Sequence, residues 1–143
     1  MKKNKIFMSI FFSFLMILTF CTVNILAAES GSSSYSFRIQ AYQANSQTTY
    51  SLYRNVAVED YTRPWYVNMT DSGEGEGTIT TYWLELYSGH NVSPDCDAKV
   101  GLHYHPAAYG SANSQDVWLT AENNNYNSRL YNVKGYWKAK SSY

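Results

Sequence analysis

From Tyr35 the chain alternates: Tyr35, Phe37, Ile39 and Ala41 are apolar, and Ser36, Arg38 and Gln40 between them are polar. A period of two places the two sets on opposite sides of an extended backbone, so this stretch reads as a strand with one dry face and one wet face. The habit continues. Thr48 to Val58 is a weaker strand with Tyr50, Leu52 and Val56 on one side. Trp65, Val67 and Met69 alternate with Tyr66, Asn68 and Thr70, and Thr78 to Ser88 is the most strand-like run. Ala98 to His105, Val117 to Ala121 and Arg129 to Lys138 follow, the last with Tyr131, Val133 and Trp137 on one face.

Nothing in the chain after the leader repeats with a helical period. All 14 tyrosines and all 4 tryptophans lie beyond residue 28, and such residues suit a pleated, half-buried surface. The expectation is an all-β fold: a small antiparallel β-sandwich, Ig-like or jelly-roll-like, of about seven strands. Between Met69 and Thr78, three glycines in Asp71–Gly77 supply a turn, so residues 65–88 read as a β-hairpin. Glu122-Asn123-Asn124-Asn125 is turn chemistry as well.

The leader differs in kind. Lys2, Lys3 and Lys5 precede an apolar run from Ile6 to Phe20, and Ala27-Ala28 ends it with small residues. That is the pattern of a secretory signal helix, with cleavage before Glu29. The run is about 15 residues long, short of the ~20 that span a bilayer. Phe20 before Cys21 is the wrong neighbour for lipid attachment. The reading is therefore a signal peptide over 1–28, a flexible lead over 29–34 and one β domain over 35–143, secreted and free of the membrane.

The leader removes three lysines and no acid, so the remaining chain is net negative. That excludes nucleic acid, whose phosphates demand a basic surface. Cys96 is left alone, without an intramolecular disulfide partner. It stands between Asp95 and Asp97, which discourages a thiolate and argues for an inert thiol.

No catalytic signature is present: no Gly-x-Ser-x-Gly elbow, no phosphate loop and no dinucleotide fingerprint. The expectation is a chain that is not an enzyme and needs no cofactor. His103 and His105 are the sharpest chemical alternative, since residues two apart on a strand share a face and two imidazoles can ligate Zn²⁺ or Cu²⁺. Against this stands the lack of a second ligand pair at fixed spacing. Asp71, Glu74 and Glu76 among glycines offer carboxylates to Ca²⁺, but without the EF-hand pattern they read as a solvated loop.

The aromatic surplus carries the remaining signal. In Thr78–Ser88 one face holds Tyr82, Leu84 and Leu86, and the other holds Thr81, Trp83, Glu85 and Tyr87. Only one face can be core. The second, with Trp83, Glu85 and Tyr87, is expected to face solvent as a binding patch. Trp83 is accordingly expected to matter for binding and Trp137 for folding.

Gln40-Ala41-Tyr42-Gln43-Ala44-Asn45, Ala121-Glu122-Asn123-Asn124-Asn125-Tyr126 and Val133-Lys134-Gly135-Tyr136-Trp137, together with the leader, resemble a family of small exported proteins of Gram-positive bacteria catalogued as a domain of unknown function. The resemblance spans most of the chain after the leader. It implies no activity and transfers no catalytic residue. The functional expectation is a non-catalytic binding or interaction module for cell-wall glycan, a surface protein or another secreted chain. A bacteriocin-like or toxin-associated role and metal binding through His103 and His105 are the alternatives.

Overall fold

The computed structural model describes residues 29–143; the expected signal helix and its cleavage site lie outside the described residues. These residues form an all-β fold of two antiparallel sheets. The strands are β1 (Ser33–Ile39), β2 (Ser46–Gln47), β3 (Leu52–Tyr53), β4 (Tyr66–Ser72), β5 (Ile79–Glu85), β6 (Cys96–Lys99), β7 (His103–Tyr104), β8 (Asp116–Asn123) and β9 (Tyr131–Lys138). One sheet has the order β1-β9-β4-β7. The other has the order β2-β8-β5-β6, with β3 also paired to β8. Nine described strands replace the seven expected: β2 is two residues long, too short for alternation to reveal, and the stretch Ala98–His105 divides between β6 and β7.

The core lies between the sheets, and its residues are those the period of two selects. Tyr35 and Ile39 from β1, Val67 and Met69 from β4, Tyr82 and Leu84 from β5, Val117, Leu119 and Ala121 from β8, and Tyr131, Val133 and Trp137 from β9 all join it. Buried polar groups find partners: Tyr35 Oη donates to Tyr82 Oη at 3.0 Å, and the Trp137 indole Nε1 donates to the Oη of the more exposed Tyr50 at 3.1 Å. In β9, Gly135 is inward-facing and pairs with both Tyr35 and Met69. A Cβ there would collide with the Asn68 carbonyl oxygen and stand 2.9 Å from Tyr35 Oη. Only glycine lets β4 and Tyr35 approach so closely.

The expected hairpin over 65–88 is not formed. β4 and β5 belong to different sheets, and the link between them crosses the edge of the sandwich. Gly73 N donates to the Asn132 carbonyl at 2.8 Å and Ser72 pairs with Val133, which holds the start of the link on β9. Alternation reports which face a residue occupies but not which strand it pairs with, and a glycine-rich link serves either path. Thr48–Val58 is likewise not one strand: it holds only β3, followed by Val56 buried in a loop.

That loop is fixed by Arg54, which is only 1% exposed. Its guanidinium donates to Asn113 Oδ1 at 3.0 Å and to the carbonyls of Arg63, Pro64 and Ala139. One planar fork thus ties four separate stretches of chain.

Residues 29–34, expected as a flexible lead, are also tied down. Ser33 and Ser34 already belong to β1. Glu29 Oε1 accepts from Lys138 Nζ at 2.8 Å and Glu29 Oε2 accepts from Ser141 Oγ at 3.1 Å. On the outer face of the four-stranded sheet Glu29 N donates to Tyr66 Oη at 3.3 Å.

Candidate functional site

The outer face of the five-stranded sheet is set by register. Thr81, Trp83 and Glu85 on β5 stand opposite Glu122, Thr120 and Trp118 on β8, and Thr81 stands opposite Asp97 on β6. Residues directly opposite in a ladder share a face, so these side chains form one surface. Tyr82 and Leu84 between them point into the core. The sequence separated the two faces of β5 correctly.

Exposure along this face is uneven. Tyr87 is 91% exposed, as expected of a contact residue. Trp83 and Glu85, expected at the solvent face, are only 4% and 6% exposed. This is a correction with a clear physical cause. The segment 40–45 between β1 and β2 crosses above them. Gln43 Nε2 donates to the Asn124 carbonyl at 3.3 Å at one end, and Asn45 Nδ2 donates to Glu85 Oε1 at 3.4 Å at the other. Between those anchors lie two rows, Thr81 with Glu122 and Trp83 with Thr120. Under this cover Trp83 Nε1 donates to Glu85 Oε1 at 2.8 Å, which satisfies the buried carboxylate.

On either side of the covered Trp83 the face opens. Gln43, Thr81, Asp95, Asp97, Glu122 and Asn124 line an open concavity of ≈ 530 Å³. Asp97 Oδ1 accepts from Thr81 Oγ1 at 2.7 Å and from Asn124 Nδ2 at 3.3 Å. Partial burial, and then the Asp95 carboxylate nearby, push the Glu122 carboxyl above its ordinary range. Beside the concavity the exposed rings of Tyr42 and Tyr126 pack at 5.3 Å between centroids. Beyond Glu85, the Tyr87 ring packs on Trp118 at 5.8 Å. Of the residues lining these openings, the sequence places Thr81 and Tyr87 on this face. Asp97 and Glu122 could have been found by placing the outward residues of neighbouring strands side by side, but that needs the pairing.

His103 and His105 lie on the other sheet. Both rings pack on Tyr66, with centroids 5.7 and 5.3 Å from its ring. Both nitrogens of His103 are engaged, Nδ1 with Tyr66 Oη and Nε2 with the Asn68 amide, each at 3.0 Å. His105 Nδ1 pairs with Ser141 Oγ at 2.9 Å and lies 3.8 Å from Glu29 Oε2. Among the described residues, no group of three or more His, Cys, Asp and Glu side chains is arranged to hold a metal ion.

Cys96 is buried on the core side of β6. Desolvation, reinforced by Asp97, pushes its thiol up to about 12. A thiol so raised is not a nucleophile at neutral pH.

A family model described as "Protein of unknown function (DUF2712)" matches residues 22–141. The chain belongs to the DUF2712 family. That membership covers every strand described above and names no activity. No curated protein and no solved structure matches the chain.

Proposed function

We propose that this DUF2712 protein is exported and serves as a non-catalytic binding module, with the outer face of the five-stranded sheet as its contact surface and cell-wall glycan as its ligand. The observation that carries the reading is the pair of ring sets, exposed Tyr42 with exposed Tyr126 and exposed Tyr87 with half-buried Trp118, at the two ends of one polar face. On β5, Thr81 beside one set and Glu85 beside the other are four residues apart, roughly 13 Å at strand rise. Flat rings stack on the apolar faces of sugars, and carboxylate and amide groups between them pair with hydroxyls. Such a face lacks the continuous apolar groove that an amphipathic peptide helix requires.

The thiol that neighbours this face, Cys96, is raised and turned inward, which supports a binding role. Export rests on the basic, apolar and small-residue order of the leader.

Co-sedimentation of the purified 29–143 domain with insoluble peptidoglycan tests the binding reading. The wild type is expected in the pellet, with Tyr87→Ala retained several-fold less. Equal retention of the two proteins, or none of either, rejects it. Amino-terminal sequencing of the protein from culture medium tests export, and a terminus at Met1 rejects cleavage after Ala28.

A further inference from the structure

The cover over Trp83 is unusual in three independent ways. Tyr42 and Gln43 are consecutive non-glycine residues with φ of 57° each, in the left-handed region that L side chains rarely adopt. Thr120 Oγ1 beneath the cover is buried without a hydrogen-bond partner among the described residues. A tryptophan and its carboxylate partner lie on the outer face of a sheet yet are almost fully buried. A buried orphan hydroxyl and strained backbone both cost stability in the closed arrangement, so both favour its opening.

The anchoring is correspondingly slight. Asn45 to Glu85 and Gln43 to Asn124 are long side-chain hydrogen bonds, and Tyr42 N to the Asn127 carbonyl at 2.8 Å is the one short tie. We infer that residues 40–45 form a strap that lifts locally, joining the Thr81–Asp97–Glu122 concavity to the Tyr87–Trp118 pair as one groove for a β-linked oligosaccharide, with Trp83, Glu85 and Thr120 as its floor. The inference rests on the binding role proposed above and adds its regulation: ligand selects the lifted strap. The floor suits such a ligand. Trp83 supplies a further flat ring midway between the two open ends, and Thr120 Oγ1 supplies a hydroxyl without a protein partner.

Two measurements test it. Hydrogen exchange of the indole N–H groups, followed by nuclear magnetic resonance across low urea concentrations, reports opening without any ligand. Trp83 is expected to exchange faster than Trp137 and with little urea dependence, the mark of local rather than global opening. Asn45→Ala removes one anchor and is expected to speed Trp83 exchange roughly tenfold while leaving Trp137 unchanged. Exchange of the two indoles in step, or Trp83 exchange unaltered by Asn45→Ala, overturns the strap.

The second measurement is titration with a soluble hexamer of β-1,4-linked N-acetylglucosamine. Asn45→Ala is expected to bind it more tightly than the wild type, because more of the protein is already open, and Tyr87→Ala more weakly. Local opening with no hexamer bound by either the wild type or Asn45→Ala overturns the glycan groove and leaves the motion standing. Hexamer bound equally by the wild type and Asn45→Ala, with no local opening, overturns the strap and leaves the binding face standing.

Discussion

Glu29 and Lys138 meet at 2.8 Å, joining the first described residue to the last residue of β9. Burial opposes ionisation of Glu29, but hydrogen bonds from Lys138, Ser142 and Ser141 outweigh it and hold the carboxyl at about 2, down from 4.5. A carboxyl lowered by folding stabilises the protein above its unfolded value, and that contribution is lost as pH falls toward the folded one. Thermal melts of the wild type should therefore lose stability between about pH 4.5 and 2. Glu29→Gln should melt lower at pH 7 and show a shallower slope across that window.

Arg54 should tolerate no replacement well. Arg54→Lys keeps the charge but loses the planar fork, leaving buried carbonyls of residues 63, 64 and 139 and the Asn113 amide short of donors. A cost of about 3 kcal/mol or more is expected in urea unfolding.

Gly135→Ala should destabilise by about 3 kcal/mol, at the upper end of what added bulk costs in a packed interior. The new methyl group meets the Asn68 carbonyl and the Tyr35 hydroxyl, which are held by the sheet and the core. Near-ultraviolet circular dichroism should show the disturbed tyrosine packing at temperatures where the wild type is intact.

Trp83→Ala and Trp137→Ala should both cost about 3–5 kcal/mol in urea melts, as truncation of buried tryptophan does. Tyr87→Ala should fall within about 0.5 kcal/mol of wild type, since its ring is exposed. A small loss for Trp83→Ala would show that the strap leaves its ring uncovered in solution.

Cys96 should resist iodoacetamide at pH 8 in the native protein and react on unfolding in urea. Its thiol titrates near 12 in the fold because of burial and then Asp97. Rapid native alkylation, measured by mass, would contradict that placement.

The faces of β1, β5 and β9 were legible in the chain because each has one side in the core and the period of two records it. Pairing was not. β4 reads as the first half of a hairpin, yet its neighbours β9 and β7 lie far along the chain. Trp83 misled for a related reason: what buries it comes from residues 40–45, on the far side of β4 in sequence. Tyr66 is buried in the same manner, against His103 and His105 from far along the chain. The acidic lining of the concavity was hidden too, since Asp97 and Glu122 become neighbours of Thr81 only through the register of β6 and β8. Alternation separates in from out; it cannot tell bare from covered.

The antiparallel β1–β9 ladder also fixes how the domain would respond to tension. Ser33 pairs with Trp137 at one extremity and Ile39 with Tyr131 at the other. Residues 29 and 143 thus leave the ladder on the same side, and a load applied between them falls first on Glu29–Lys138. The rungs then bear it one after another instead of together. Such a protein peels like a zip from its own ends, so an attachment that had to withstand pulling would better be made through the opposite sheet.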